Sequence, residues 1–244
     1  MDYAAASRWL SAWPGEVAFA LIIGRHSGVY PRRFRSLKNI PLVIDDARDP
    51  SDLRPYLRKY LPEGVYYDRN AYTSLREARK RRIDYTRASR SNLVVGQELA
   101  FDIDPENLDC PEHGSVEDKM RRHEGLSFCD WEFQEARRQA GELHDRLQRK
   151  WHDVAIVYSG RGFHVHVRDP KAFRMSRRER SRIARALADR YAADEWVTTG
   201  EMRLIRLPHS LNGLVSRICI PVARAELDSF AYDDPRAVPP FARP

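Results

Sequence analysis

The hexapeptide Leu99-Ala100-Phe101-Asp102-Ile103-Asp104 alternates with period two and stops at Pro105. Successive side chains of a strand leave opposite faces, so Leu99, Phe101 and Ile103 share one face, and Asp102 and Asp104 share the other. A chain carrying this segment must lay the first face on a core. It must also hold two carboxylates, about 6–7 Å apart at their bases, on the second. Carboxylates so placed are costly unless a counter-charge sits between them. A pair of divalent cations would supply one. The plain alternative is a solvated Asp-x-Asp turn.

The neighbouring segments extend this strand into a mixed architecture. Val154 to Tyr158 is an apolar run, followed by Gly160, Gly162 and a second alternating strand from Phe163 to Val167. Helical spacing appears in Leu53, Tyr56, Leu57, Tyr60 and Leu61, closed by Pro62 and Gly64. It returns in Ala136, Ala140, Leu143, Leu147 and Trp151, and in Ile183, Leu187 and Tyr191. Arg76 to Arg90 reads as a basic helix or a loop, Arg217 to Val222 as a late strand, and the stretch from Pro235 as a surface tail. Strands and helices alternate without strict βαβ order, which predicts an α+β fold. A chain of 244 residues suits one domain spanning 1–244.

No apolar run approaches the roughly 18 residues of a membrane span, and no signal peptide is evident. Three cysteines, an odd count, favour a reducing compartment, so a cytoplasmic protein is expected. The formal net charge of +7 permits a polyanionic partner. Arginine dominates the cations and clusters in Arg76 to Arg90 and Arg174 to Arg190, although solvated helix faces would look the same.

A second constellation is Ser159-Gly160-Arg161-Gly162-Phe163-His164-Val165-His166-Val167. Its glycines let backbone N–H groups approach phosphate oxygens. Arg161 can fork onto a phosphate and Ser159 can donate a hydroxyl. His164 and His166 share one strand face, and strand histidines are often structural. A third constellation runs from Asp194 through Arg203-Leu204-Ile205-Arg206 to Ser210-Leu211-Asn212-Gly213. At least one of its arginines should point inward to an anion, either a triphosphate or an ordinary carboxylate.

A fourth pattern pairs Cys110-Pro111-Glu112-His113 with Cys129-Asp130-Trp131-Glu132. Two close pairs of ligands suit tetrahedral zinc. Glu132 is the fourth ligand by spacing, with His123 and Asp130 as rivals. Two unrelated cysteines and a surface histidine are the plain reading. Cys219, in an apolar strand, reads as core.

Phe101 to Asp104, Ser159 to Val167 and Asp194 to Gly213, in this order, resemble the three successive motifs of the small, catalytic subunit of archaeo-eukaryotic primases. Pro62 to Tyr72 is similar to the segment preceding the acidic strand in archaeal members, and the likeness runs from about Arg33 to Phe241. The resemblance implies an α+β primase catalytic core with a zinc knuckle in the excursion 105–132. It implies that Asp102, Asp104 and Asp194 bind catalytic Mg2+ or Mn2+. Ser159, Arg161 and His164 would hold the incoming nucleotide, with Arg203 and Arg206 assisting. Cys110, His113, Cys129 and Glu132 would hold structural Zn2+. Asn212 stands where the family usually has histidine, so it can hydrogen-bond a phosphate but never become cationic. Only 30 positions separate His164 from Asp194, where many archaeal members carry a longer helical insertion.

The implied activity is primer synthesis from nucleoside triphosphates on single-stranded DNA, alongside a primase large subunit. A repair or gap-filling polymerase of the same superfamily, and a non-catalytic nucleic-acid-binding subunit, are the alternatives. A two-carboxylate nuclease would leave the Ser159 to His164 segment unexplained.

Overall fold

The computed structural model describes residues 1–23, 41–85, 91–122, 128–200 and 203–243. Its elements begin with α1 (Tyr3–Leu10), β1 (Phe19–Ile22), β2 (Leu42–Ile44), α2 (Arg54–Tyr60), β3 (Gly64–Asp68) and β4 (Asn70–Tyr72). There follow α3 (Leu75–Lys80), β5 (Val94–Gln97), β6 (Leu99–Ile103), α4 (Val116–Arg121), α5 (Asp130–Gln148), β7 (Val154–Tyr158) and β8 (Phe163–Val167). The chain ends with α6 (Pro170–Phe173), α7 (Arg177–Ala188), α8 (Glu195–Thr199), β9 (Leu204–Arg206), β10 (Leu211–Asn212), β11 (Arg217–Ile218), β12 (Ile220–Val222) and α9 (Arg224–Leu227). Among the described residues no helix is long and apolar enough to cross a membrane.

Two compact units emerge. The first comprises Met1–Gln97, Arg203–Ile220 and Val238–Pro244, and the second Glu98–Met202 and Pro221–Ala237. In the first, β3 and β1 form the middle of an antiparallel sheet ordered β11-β10-β3-β1-β2, with β9 also on β3. The apolar run around Phe19 becomes the buried centre: Phe19, Ala20 and Leu21 are inaccessible, and Phe19 pairs with Tyr67. The helix expected around Leu53 to Leu61 splits into a 3-10 turn, Pro50–Leu53, and α2. Pro50 and Pro55 fall at the first turns of these two pieces, where a missing N–H costs nothing. Leu61 closes α2 in the left-handed region at φ 41°, which turns its side chain out to solvent instead of onto the predicted apolar face.

In the second unit the predicted strands form a sheet ordered β12-β7-β8-β6. The apolar sides of β6 and β8 are buried, and α5 packs on this sheet. Phe133 of α5 meets Tyr158 edge-on with ring centroids 6.1 Å apart, and tilts against Phe163 at 5.6 Å. Ala136, Ala140, Leu143 and Leu147 are buried, as their helical spacing requires. Helix α7 opens on a Ser176–Glu179 capping box, which satisfies donors at its first turn. Its Arg180 is buried and donates to the carbonyls of Ala172 and Glu98 at 3.2 and 3.1 Å, so one arginine of the cluster anchors the helix. The late strand predicted over Arg217–Val222 is two strands, with the buried Cys219 between them.

Candidate active site and zinc centre

Strands β6 and β8 run antiparallel with Asp102 opposite His164 and Ile103 opposite Phe163. Opposed residues share a face, so the alternation that buries Phe101 and Phe163 puts Asp102 beside His164. His164 Nε2 lies 3.4 Å from Asp102 Oδ1. The same face continues to His166, whose ring meets that of His164 edge-on at 5.7 Å. His166 Nδ1 reaches Glu98 Oε1 at 3.2 Å, with both side chains fully buried. Glu98 has the same strand parity as Asp102 and Asp104, a signal in the sequence that would have placed it on this face.

The turn between β7 and β8 is a two-residue hairpin. Ser159 N–H donates to Gly162 O at 2.9 Å, and Ser159 Oγ accepts from Gly162 N–H at 3.1 Å. Gly160 has φ 105°, a backbone conformation that glycine adopts without a side-chain clash. The expected Ser159 hydroxyl is thus already an acceptor within its own turn. Gly162 sits against the end of β6. Arg161 is buried and bonds Glu106 Oε2 at 2.6 Å, so its fork joins the turn to the segment following the acidic strand. Burial alone would depress its pKa. Asp104, Glu106 and Asp102 more than offset that and hold it above the ordinary value. Arg161 therefore supplies part of the counter-charge that the carboxylate pair demands. Its Nε is buried without a hydrogen-bond partner among the described residues, which leaves one donor for a ligand.

Asp194 reaches the site through backbone pairing. Ala193 bridges to Ile103, and Asp194 N–H donates to Asp102 O at 2.9 Å, so this segment lines the edge of β6. The Asp194 carboxylate caps α8 by accepting from Trp196 N–H at 2.7 Å. Oxygens of Asp102, Asp104 and Asp194 do not gather within 4.8 Å as one group. Three carboxylates around one strand end are the hard oxygen donors that suit Mg2+ or Mn2+.

The remaining expected nucleotide ligands belong to the first unit. Arg203 Nη1 bonds Asp68 Oδ2 at 2.6 Å, in a buried cluster where Tyr72 also donates to Asp68 at 2.7 Å. Burial pushes the Asp68 carboxyl up, against the opposing pull of Arg203, the Asn70 N–H and Tyr72. Arg206 donates to the Tyr66 hydroxyl at 2.7 Å and lies over that ring at 4.7 Å. Asn212 is buried and accepts from Leu214 N–H at 3.2 Å. The ordinary Arg–carboxylate pair thus holds for Arg203. Asp68 and Tyr66 alternate within the Pro62 to Tyr72 segment, but no spacing rule assigns an arginine to either.

Cys110, His113 and Cys129 bring their ligand atoms within 4.8 Å of one another. Cys110 Sγ is 3.4 Å from His113 Nδ1 and 3.7 Å from Cys129 Sγ. Two thiols and an imidazole this close could form a zinc site. Glu132 lies outside this group. One oxygen is paired with the buried Lys119 and the other accepts from Cys129 N–H at 2.9 Å. Its spacing from Cys129 is that of a helix N3 residue, and the capping role uses it. Asp130 is likewise outside the group, and His123 lies outside the described residues.

No family model matches the chain. It is 51% identical over 238 residues, 96% of this chain and 83% of the relative, to an uncharacterized DNA primase small subunit-like protein of Archaeoglobus fulgidus. It is 27% identical over 222 residues to the DNA primase small subunit PriS of Pyrobaculum aerophilum, spanning 72% of this chain but only 65% of that protein. The fold matches the polymerase domain of Mycobacterium tuberculosis Ligase D, solved in complex with DNA, at a TM-score of 0.52 and 14% identity. That match covers 96% of this chain and 84% of the other. With 51% identity over 96% of its length, and with a fold that matches that polymerase domain, the chain belongs to the DNA primase small subunit-like proteins of the archaeo-eukaryotic primase superfamily.

Proposed function

We propose that the chain is a template-directed nucleotidyltransferase that synthesises primers from nucleoside triphosphates on single-stranded DNA. The observation that carries this reading is the docking of Asp194 on Asp102 through a 2.9 Å backbone hydrogen bond. It sets a third carboxylate residue beside Asp102 and Asp104, with His164 and Arg161 on adjoining positions. Magnesium or manganese held by Asp102, Asp104 and Asp194 would supply activation of a 3′-hydroxyl and charge neutralisation at the leaving pyrophosphate. The chain's own contribution is placement. Arg161 brings cationic charge and a spare N–H toward a triphosphate. His164, beside Asp102, offers its ring to a phosphate or sugar oxygen. Cys110, His113 and Cys129 hold structural zinc and so fix the excursion that leaves the acidic strand. The relatives named PriS and the DNA-bound polymerase domain support nucleic acid as the partner. A large subunit is a further proposed partner.

The test is incorporation of labelled ribo- and deoxyribonucleotides by the isolated chain on an unprimed single-stranded template with Mg2+ or Mn2+. Products should appear, and Asp102→Ala and Asp104→Ala should abolish them while leaving the circular dichroism spectrum unchanged. Products from a primed template alone would replace initiation by end extension. Full activity of either variant would remove the catalytic assignment.

A further inference from the structure

Trp196 is 65% exposed, although it lies two positions beyond Asp194 and its N–H is fixed to that carboxylate at 2.7 Å. Exposing an indole on a five-residue helix forgoes the burial that a large apolar ring would otherwise gain, so the ring is poorly explained by folding. Helix α8 packs on α7. On α7, Arg178, Arg182 and Arg185 recur at i, i+4 and i+7, which makes one stripe about 10 Å long. All three are exposed, and among the described residues no acidic side chain lies within ion-pair distance of them. Arg180, on the opposite side, anchors the helix instead.

An exposed aromatic face on a helix packed against one that carries a row of exposed guanidinium groups has the composition of a single-stranded nucleic-acid track. Bases present π-faces, and the backbone presents one phosphate per nucleotide. A protein partner would call for a wider apolar patch than one indole. We infer that α7 and α8 form a single-strand binding surface in which Trp196 stacks on a base and Arg178, Arg182 and Arg185 follow the phosphates. This rests on the polymerase reading, which it deepens by giving the template strand a path that leaves the metal-binding carboxylates at Asp194.

The full chain is titrated with oligothymidylate of about twelve nucleotides, and with an abasic strand of equal length, without added divalent ions. Oligothymidylate should quench tryptophan emission. Trp196→Phe should lose most of that quench while keeping affinity, and Trp196→Ala should weaken binding roughly five- to hundredfold. Abasic-strand binding should not change in either variant. The triple variant Arg178→Gln, Arg182→Gln, Arg185→Gln should flatten the slope of log affinity against log salt by about 2, from ~0.7 per phosphate contact. Arg146→Gln, an exposed arginine on α5, should leave it unchanged.

Asp102→Ala, inactive under the catalytic reading, should bind and quench like the parent. Unchanged affinity and quench in Trp196→Ala would overturn the track while leaving catalysis standing. Unimpaired incorporation by Asp102→Ala would overturn catalysis while leaving the track. Absence of any binding by the parent would overturn the track. So would a change of sedimentation coefficient, without loss of strand affinity, in Trp196→Ala, because it would mark a protein contact.

Discussion

Gly162 and Asp104 touch so closely that no side chain fits between them: a Cβ at position 162 would lie 2.5 Å from Asp104 Oδ1 and 2.3 Å from Ile103 O. Neither neighbour can yield cheaply, because one is backbone and the other is a carboxylate of the acidic strand. Gly162→Ala should therefore push the end of β6 and misplace Asp104. Under the catalytic reading, nucleotide incorporation falls by about a hundredfold or more, the scale of an ångström's misplacement. Stability falls by about 1–3 kcal/mol from overpacking. Steady-state incorporation and urea melts check both. Retained activity would detach Asp104 from the chemistry.

Arg203 and Asp68 form a buried pair, and removing one partner strands the other's charge. Arg203→Met should destabilise the fold by about 3–5 kcal/mol, read as a lower denaturant midpoint with unchanged slope. Asp68→Asn together with Arg203→Met should recover part of that loss, because Asn removes the stranded charge and still accepts from Tyr72. Were Arg203 only a solvent-facing nucleotide ligand, Arg203→Met would leave the midpoint in place.

Zinc content separates the ligands from their neighbour. The purified chain should carry about one zinc, and Cys110→Ser or Cys129→Ser should lose it and lower the melting temperature. Glu132→Gln should keep the metal but lose stability, because Lys119 loses its buried carboxylate partner. Loss of zinc in Glu132→Gln would restore Glu132 as a ligand.

The strands were legible because the pattern and the packing obey one period. Phe101, Ile103, Phe163 and Val165 alternate in sequence and are buried on one side, and that same parity puts Asp102 next to His164. The helix around Ala136 to Leu147 was legible for the same reason. Pairings between distant segments were not. Arg203 meets Asp68 across 135 positions, and Arg161 meets Glu106 across 55. Any of several carboxylates would have satisfied either arginine in sequence. Glu132 shows a different failure. One spacing, three residues from Cys129, serves both a metal pair and a helix capping box, and only the location of Lys119 separates them. Trp196 went unread because one indole among polar neighbours has no period. Only its exposure gives it meaning.

His209 makes stability depend on pH. Its backbone holds φ 67°, with its N–H on Cys219 O and its carbonyl accepting from Asp2 N–H. Burial pushes the imidazole below its ordinary 6.5, with Arg8 acting in the same direction and Asp2 against it. The folded state then binds fewer protons than the unfolded chain between the lowered value and 6.5. Its contribution is complete above 6.5, is lost as pH falls through that window, and is constant below it. Water around the half-buried ring keeps the slope under the one-proton ceiling of about 1.4 kcal/mol per pH unit. His209→Asn tolerates the left-handed backbone and removes the titration. Subtracting its denaturant-derived stability from the parent's, between about pH 5 and 8, should give a curve that rises with pH and flattens above 6.5. A level difference across that range would show that the imidazole ionises as freely in the fold as in the open chain.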